Sequence, residues 1–323
     1  MTTAAGWESF VAYEEESTPG TWTTPTFALE LVSSTLGIEV GQIVSSAMKS
    51  TRQRQFRRRN GLIEVKGNTL HELSSAKLGK HLKRLMGAVA TTGVGPYQHV
   101  FTDGPLVEGA MSIQVAKPDG TGTLNPHNYT GCQLLGSTWV CKTGNEFVKA
   151  TWDWYGQHML NTSDGDVVPG LVTATYPAAY APFSFVEAVL TINGAEYEFD
   201  DITLNFKNAL KTGRHAARTT TPRRPRVAKI NGFKETTATL NSEHYSNAVL
   251  LRALAGSEVT LSLVFTNSVS DKLQVAGSVR TMVKDPSIDG PDILKEGIEL
   301  VFTSTSSDAS ACTVTLTNSE ATP

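Results

Sequence analysis

Apolar and polar residues alternate with a period of two along most of this 323-residue chain. The run 259–265 reads Val-Thr-Leu-Ser-Leu-Val-Phe, and similar alternation occurs at 111–115 and 312–316. A strand that buries one face and exposes the other has this pattern. Asn193-Gly194 follows one such run and predicts a tight hairpin turn. The alternation therefore predicts an all-β fold, mainly antiparallel, of a sandwich or barrel-forming type.

Two helices are predicted to interrupt the strands, one at 69–86 and one at 247–255. Thr69 and Glu72 form a T-x-x-E capping box at the start of the first helix. The apolar residues that follow fall on one helical face, and Gly87 marks the end. Ser246 is the candidate cap of the second helix, and Gly256 follows its last residue.

The two helices lie in a repeated order of elements. In the first half, predicted strands at 27–32 and 38–46 precede a basic segment at 49–60, a strand at 62–66, the helix and a strand at 98–102. In the second half, strands at 185–192 and 195–206 precede a basic segment at 207–226, a strand at 227–230, the helix and a strand at 259–266. Arg58-Arg59 and Gly67 lie 165 residues before Arg223-Arg224 and Gly232. The repeat predicts two tandem domains, 1–178 and 179–323, each with one α-helix.

Charge is distributed unevenly between these segments and the rest of the chain. The net charge is −3, yet 49–59 and 207–229 together hold 14 of the 28 Lys and Arg residues and no acid. An acidic body with two basic segments favours oriented self-association. The candidate assembly residues are Lys49, Arg52, Arg54, Arg57, Arg58, Arg59, Arg214, Arg218, Arg223, Arg224 and Arg226.

An enzyme is not indicated, because the chain has no G-x-S-x-G, P-loop or complete G-x-G-x-x-G motif. His127, Cys132 and Cys141 have irregular spacing and no evident fourth metal ligand. We therefore predict no catalytic residue, no metal and no cofactor. The three cysteines, which include Cys312, make no disulfide framework, and we expect them to be buried in strands of a protein made in a reducing cytoplasm. No apolar run reaches the roughly 20 residues that span a bilayer, so no membrane contact is expected.

Two binding functions remain as alternatives. The segment 52–59 resembles a basic arm that grips nucleic acid, with Phe56 available to stack on a base. The net charge of −3 argues against it, since nucleic-acid-binding domains are usually basic. Trp139, Trp152, Trp154 and Tyr155 could form a carbohydrate platform, but the alternation around them favours core packing.

The order of several motifs resembles the tail tube, or major tail, proteins of long-tailed bacteriophages. The chain opens with Trp7-Glu8 and reaches Thr24-Pro25 through Ser17-Thr18-Pro19-Gly20-Thr21, which is similar to that family's E-x-T-x-G-T start. Further motifs follow in the family's order, namely the Arg-rich segment, Leu62-Ile-Glu-Val-Lys-Gly67, the amphipathic helix ending at Gly87, Val100-Phe101-Thr102, Tyr129-Thr130-Gly131-Cys132 and 183–189.

The resemblance implies a β-sandwich subunit with a flanking helix, built into stacked rings that form a conduit for DNA. It implies a location in the virion tail, assembly in the host cytoplasm, and contacts with tail terminator, distal tail and tape-measure proteins. Family rings have six domain positions, so two domains per chain predict a homotrimeric, pseudo-hexameric ring, with a homohexamer as the alternative. DNA is expected to pass without specific binding, and the tube of a contractile injection or secretion system is a related alternative. The candidate lumen-facing acids are Glu39, Glu64, Glu187, Glu196 and Glu198.

Overall fold

The computed structural model describes residues 6–46, 57–106, 109–173, 175–177, 181–216, 224–243, 248–283, 294–304 and 309–323. Its first-half strands are β1 (Phe10–Glu15), β2 (Phe27–Leu29), β3 (Leu31–Ser34), β4 (Gly37–Val44), β5 (Arg58–Glu72), β6 (Gly87–Thr92), β7 (Tyr97–Asp103), β8 (Met111–Pro118), β9 (Leu124–Lys142), β10 (Lys149–Gly156) and β11 (His158–Met159). Its second-half strands are β12 (Ala188–Ile192), β13 (Ala195–Glu196), β14 (Asp201–Lys207), β15 (Leu210–Lys211), β16 (Lys229–Ile230), β17 (Glu235–Glu243), β18 (Glu258–Ser268), β19 (Asp271–Val283), β20 (Lys295–Thr303) and β21 (Cys312–Asn318). The helices are α1 (Gly79–Met86) and α2 (Ala248–Ala255).

Every ladder between the described strands is antiparallel, and one order of neighbours occurs twice. The first half places its strands in the order β4–β5–β10–β9–β8–β1–β2. The second half follows with β14–β17–β20–β19–β18–β12–β13. In sequence, the helix of each half follows the second strand of this order and precedes the fifth. Thus α1 lies between β5 and β8, and α2 lies between β17 and β18. The all-β prediction is confirmed.

A direct ladder joins the two halves. β14 pairs with β9 from Asp201 opposite Lys142 to Lys207 opposite Gly136. The result is one eight-stranded sheet with the order β4–β5–β10–β9–β14–β17–β20–β19, which we call the long sheet. Gly136 lies where β14 approaches most closely, because a Cβ at this position would stand 2.4 Å from the carbonyl oxygen of Phe206. A second link is β21, which pairs with β19 on one side and β7 on the other.

The first predicted helix is wrong in its N-terminal half. Residues 69–72 belong to β5 and pair with β10, and α1 begins only at Gly79. The Thr69 side chain caps no helix, because its Oγ1 accepts hydrogen bonds from the Tyr13 hydroxyl (3.1 Å) and from Trp154 Nε1 (3.0 Å). Sheet pairing and buried hydrogen bonds outweigh the local helical preference. The second helix lies within the predicted 247–255, and its candidate cap Ser246 lies outside the described residues.

Second-half strands also differ from the prediction: the predicted 185–192 begins as a strand only at Ala188, and the predicted 195–206 is divided into β13 and β14. The predicted strand 227–230 is reduced to β16, which in the described part of the chain pairs only with the two residues of β15. The long strand is β17, a Thr-rich segment that the sequence analysis did not assign. By its neighbours, β18 corresponds to β8, whereas the aligned segment 98–102 lies in β7 and pairs with β6 and β21. The Asn193-Gly194 hairpin is confirmed, with positive φ at both residues.

The three tryptophans of the candidate carbohydrate platform lie at the centre of the first-half core and not on the surface. Trp139, Trp152 and Trp154 are buried, and Trp139 Nε1 donates to Ser137 Oγ at 2.8 Å. All three cysteines are buried and free, as the sequence predicted. Among the described residues, neither helix is long and apolar enough to cross a membrane.

His81 brings an ionisable ring into this core. It lies on the inner side of α1, with ring centroids 4.6 Å from Tyr13, 5.1 Å from Trp152 and 5.6 Å from Trp154. Neither ring nitrogen has a hydrogen-bond partner in the described structure. Burial lowers the pKa of His81 well below its usual value, and burial also lowers the pKa of nearby His71 to about 4. Both rings are therefore neutral in the folded protein at pH 6.

We predict that the fold loses stability as the pH falls below about 6.5, because both histidines take up protons only when the chain unfolds. Each such proton contributes a slope of about 1.4 kcal/mol per pH unit. His81→Phe removes one of these protons and should flatten the profile of unfolding free energy between pH 6 and pH 5. Urea denaturation across this range measures the slope, and the offset at pH 8 reports the packing cost of Phe. Parallel profiles for the two proteins would contradict the assignment.

Candidate assembly surfaces

The two faces of the long sheet differ sharply in chemistry. One cross-strand row runs through Ala150, Trp139, Leu204, Ala238 and Leu300, all of them buried. The neighbouring row on the opposite face runs through Thr151, Thr138, Asn205, Thr237 and Val301. Thr138 Oγ1 donates to Asn205 Oδ1 at 3.0 Å across the join between the halves. We call this second side of the sheet the polar face.

Charged residues of both signs surround these rows on the polar face. Glu39 lies opposite Glu64 in the β4–β5 ladder, and the Lys66 ammonium lies between them, 2.5 Å from Glu39 and 3.5 Å from Glu64. The hydrogen bond to Glu39 raises the pKa of Lys66. Lys207 pairs with Glu235 at 3.4 Å farther along the sheet. The polar face is therefore hydrophilic and carries no uninterrupted basic patch among its described residues.

The structure separates the five candidate lumen acids. Only Glu39 and Glu64 lie on the polar face. Glu187 lies in a short 3-10 helix, where its carboxylate accepts a hydrogen bond from the Ser184 amide at 2.8 Å as part of a capping box. Glu196 is exposed on β13, and Glu198 is exposed between β13 and β14.

The first basic segment extends from the end of the β4–β5 hairpin. Arg57, Arg58 and Arg59 are exposed where β5 begins, and the Ser45 amide donates to the Arg57 carbonyl at 3.0 Å. Lys49, Arg52 and Arg54 lie outside the described residues. The described part thus presents arginines at the tip of an edge hairpin.

Hydrogen bonds hold the two ends of the second basic segment close together. Arg214 donates from Nη1 to the Val227 carbonyl at 2.9 Å, and the Arg226 amide donates to the Arg214 carbonyl at 2.7 Å. The Gly213 amide donates to the Tyr155 hydroxyl at 2.8 Å, which links the start of the segment to β10. Arg218 and Arg223 lie outside the described residues.

Arg224 makes contacts within the chain, which the sequence did not indicate. Its Nη2 lies 3.1 Å from both carboxylate oxygens of Asp166 and 3.5 Å from Asp164. His158 Nε2 lies 2.6 Å from the same Asp166 carboxylate. Arg224 therefore fastens the second basic segment to the first half, and we leave it out of the surfaces offered to other subunits.

The pKa values in this cluster follow from its geometry. Partial burial opposes ionisation of Asp166, but hydrogen bonds from His158, Asn161 and Arg224 outweigh it and hold the Asp166 pKa below its usual value. Burial lowers the pKa of His158 despite the neighbouring carboxylate. The oxygen and nitrogen atoms of His158, Asp164 and Asp166 are close enough to hold a metal ion, but the Arg224 guanidinium already supplies the positive charge there.

Glu16 is a second buried group that the sequence analysis missed. Its carboxylate accepts hydrogen bonds from the Gly20 amide (2.6 Å), the Gly131 amide (2.9 Å) and the Ser112 hydroxyl (2.8 Å). Burial is the main cause of its raised pKa. The segment 17–21, on which the family resemblance partly rests, is thereby fastened to β8 and β9. A glutamate just before a Thr/Gly-rich turn was the available signal.

The phage tail tube protein family matches this chain over residues 6–304. The chain belongs to that family. A search of the curated proteins gave no match. The match spans both halves of the long sheet, so this tail tube protein is a structural, β-rich component of a phage tail.

We predict that Arg224→Ala lowers the free energy of unfolding of the tail tube protein by about 1–3 kcal/mol, since it leaves two partly buried carboxylates without their cation. Arg226→Ala is the matched control, because Arg226 is exposed two residues away and should change stability by about 0.5 kcal/mol or less. Urea denaturation at pH 7 measures both variants. Equal effects of the two substitutions would show that the Arg224 ion pairs contribute nothing.

Proposed function

We propose that this tail tube protein assembles into stacked rings whose hollow centre carries the viral DNA during ejection. The observation that carries the proposal is the long sheet, which is apolar on one face, polar on the other, and open at both ends. Among the described residues, β4 pairs with β5 alone. At the opposite end, β18 pairs with β19 only as far as Arg280, so Thr281–Val283 has no strand on that side among the described residues.

The join between the halves supplies a template for closing the ring. β14 adds to β9 just beyond the stretch that β8 covers. In the repeated strand order, β4 corresponds to β14 and β19 corresponds to β9. β4 of one copy would therefore add to β19 of the next, beyond the stretch that β18 covers. Edge pairing of this kind satisfies backbone groups that would otherwise promote uncontrolled aggregation.

Two tandem domains in each chain would supply two of the six domain positions in a family ring, so we propose a homotrimer. The duplicated strand order supports division near 178. Each chain contributes the eight strands of the long sheet, and the polar face lines the lumen. Glu39 and Glu64 are the lumen acids that this arrangement retains from the five predicted.

The lumen chemistry suits the passage of DNA. Duplex DNA binds tightly to surfaces that neutralise several phosphates. The polar face carries threonine and asparagine rows, with lysines offset by carboxylates as at Lys66 and Lys207. DNA would therefore slide through without being held at a specific site, and no catalytic group or cofactor is needed.

The basic segments are proposed to contact the next ring of the stack. Arg57, Arg58 and Arg59 form the described part of the first segment, and Lys49, Arg52 and Arg54 belong to the same stretch of sequence. Arg214, Arg218, Arg223 and Arg226 are the corresponding residues of the second. Each exposed ion pair contributes about 0–1 kcal/mol, but repetition around a ring multiplies the sum. We further propose assembly in the host cytoplasm and end contacts with terminator, distal tail and tape-measure proteins.

Negative-stain class averages of the assembled protein test the stoichiometry. We expect hollow rings of three chains with pseudo-six-fold outlines, since two domains per chain fill six positions. Rings of six identical chains would replace the trimer with the homohexamer. Compact monomers at high concentration, with no rings or filaments, would contradict the proposed function itself.

Substituting Arg57, Arg58 and Arg59 by serine should slow filament growth and weaken its dependence on salt, because the inter-ring charge pairs are lost. Light scattering at low ionic strength measures growth. Serine at Lys142, Lys149 and Lys295 is the matched control, since these lysines lie on the polar face and outside both basic segments, and should leave stacking intact. Unchanged growth of the arginine variant would rule out the stacking role of this segment.

A further inference from the structure

Helix α2 leaves apolar residues uncovered. Its sequence, Ala-Val-Leu-Leu-Arg-Ala-Leu-Ala, contains one polar residue, Arg252. Leu251 is 62% exposed and Leu254 is 76% exposed. A helix that is apolar around most of its circumference is normally enclosed on several sides. α2 packs along β19, so its other side needs a partner.

The counterpart helix α1 has a neighbouring hairpin within the chain. α1 packs along β9, the strand that corresponds to β19, and both helices end at a glycine with positive φ, Gly87 or Gly256. The β15–β16 ribbon lies beside the C-terminal end of α1. Lys83, Arg84 and Gly87 at the helix end line the same cavity of about 320 Å³ as Leu210, Ala228 and Ile230 of the ribbon and its approach.

The β15–β16 ribbon is an extension of two strands of the long sheet. β15 continues from β14 and β16 leads into β17, with a break at Asn208 and Ala209, where φ of Ala209 is 45°. Lys234, just before β17, fastens the ribbon to the first half through Asp103 at 2.7 Å. The second half thus places its hairpin extension beside the helix of the first half.

The first half has the same extension, and it is uncovered. Beyond the irregularity at Gly41, the β4–β5 hairpin continues from Gln42 opposite Asn60 to Val44 opposite Arg58. Ile43 is 62% exposed and Val44 is 43% exposed on this extension. One chain therefore has an uncovered helix at one end of the long sheet and an uncovered apolar hairpin extension at the other.

We infer that the β4–β5 extension of a second copy of this chain packs on α2, in the position that β15–β16 occupies beside α1 within the chain. The inference rests on the proposed ring, because addition of β4 to β19 places the extension beside the helix. Val44, which shares a strand face with Ile38 and Val40, then covers Leu251 and Leu254 of the neighbouring copy. This lateral contact is separate from the contacts proposed between stacked rings.

Cysteine cross-linking tests the contact in assembled protein. Chains carrying Val44→Cys are mixed with chains carrying Leu254→Cys, assembled, and treated with a short bismaleimide. The three native cysteines are buried and free, so the introduced thiols are the accessible ones. We expect a covalent dimer from the mixture and none from either variant alone. Val94→Cys replaces Leu254→Cys in the matched control, since Val94 is 96% exposed on the β6–β7 turn, and should give no dimer.

A substitution gives an independent readout. Leu254→Lys keeps a good helix former but places a charge in the contact, so the assembled fraction should fall at least tenfold. Its monomer melting temperature should stay that of the wild type, because Leu254 is exposed in the single chain. Val94→Lys should assemble normally.

The outcomes separate this inference from the function on which it rests. Rings that form without the 44–254 cross-link, or that form equally well with Leu254→Lys, overturn the α2 contact and leave the tube function standing. Failure of the wild-type protein to form rings overturns both.

Discussion

The backbone of an edge strand has hydrogen-bonding groups that need partners, and the organisation of this protein follows from where it supplies them. Seven residues of β14 satisfy the outer half of β9, which turns two sets of strands into one sheet. The same requirement is unmet at β4 and at Thr281–Val283 among the described residues. The pairing of β14 with β9 within the chain is therefore the model for the proposed pairing of β4 with β19 between copies.

The second constraint is the division of the long sheet into two unlike faces. A buried row centred on Trp139 and a polar row centred on Thr138 differ by a single residue in each strand. Because side chains alternate along a strand, a register slip of one residue would exchange the two faces. Gly136 helps to fix the register, since only a residue without a side chain admits the Phe206 carbonyl. The proposed ring assembly and the proposed lumen surface therefore both depend on one backbone alignment.

The sequence predicted this protein well wherever a signal was local. Alternation located β8, β18 and β21, and Asn193-Gly194 located the hairpin, because turn geometry depends on adjacent residues. The capping box at Thr69 failed because Tyr13 and Trp154, distant in sequence, bind the same hydroxyl. β17 escaped notice because Leu240 is the one large apolar residue on its buried face, which otherwise carries Thr236, Ala238 and Ser242. Arg224 was predicted as an assembly residue of the second basic segment, although Asp164 and Asp166 bind it within the chain.

By itself, the sequence determined the all-β class, the burial of Trp139, Trp152, Trp154 and the cysteines, the segregation of charge and the membership of a tail tube family. These properties depend on residue type and short-range order. Only the tertiary structure decided which strands are neighbours, which acids share the polar face, and which helix is covered within its own chain. Those outcomes depend on backbone ladders between residues far apart in sequence, such as β9 with β14, and no local pattern encodes such a partner.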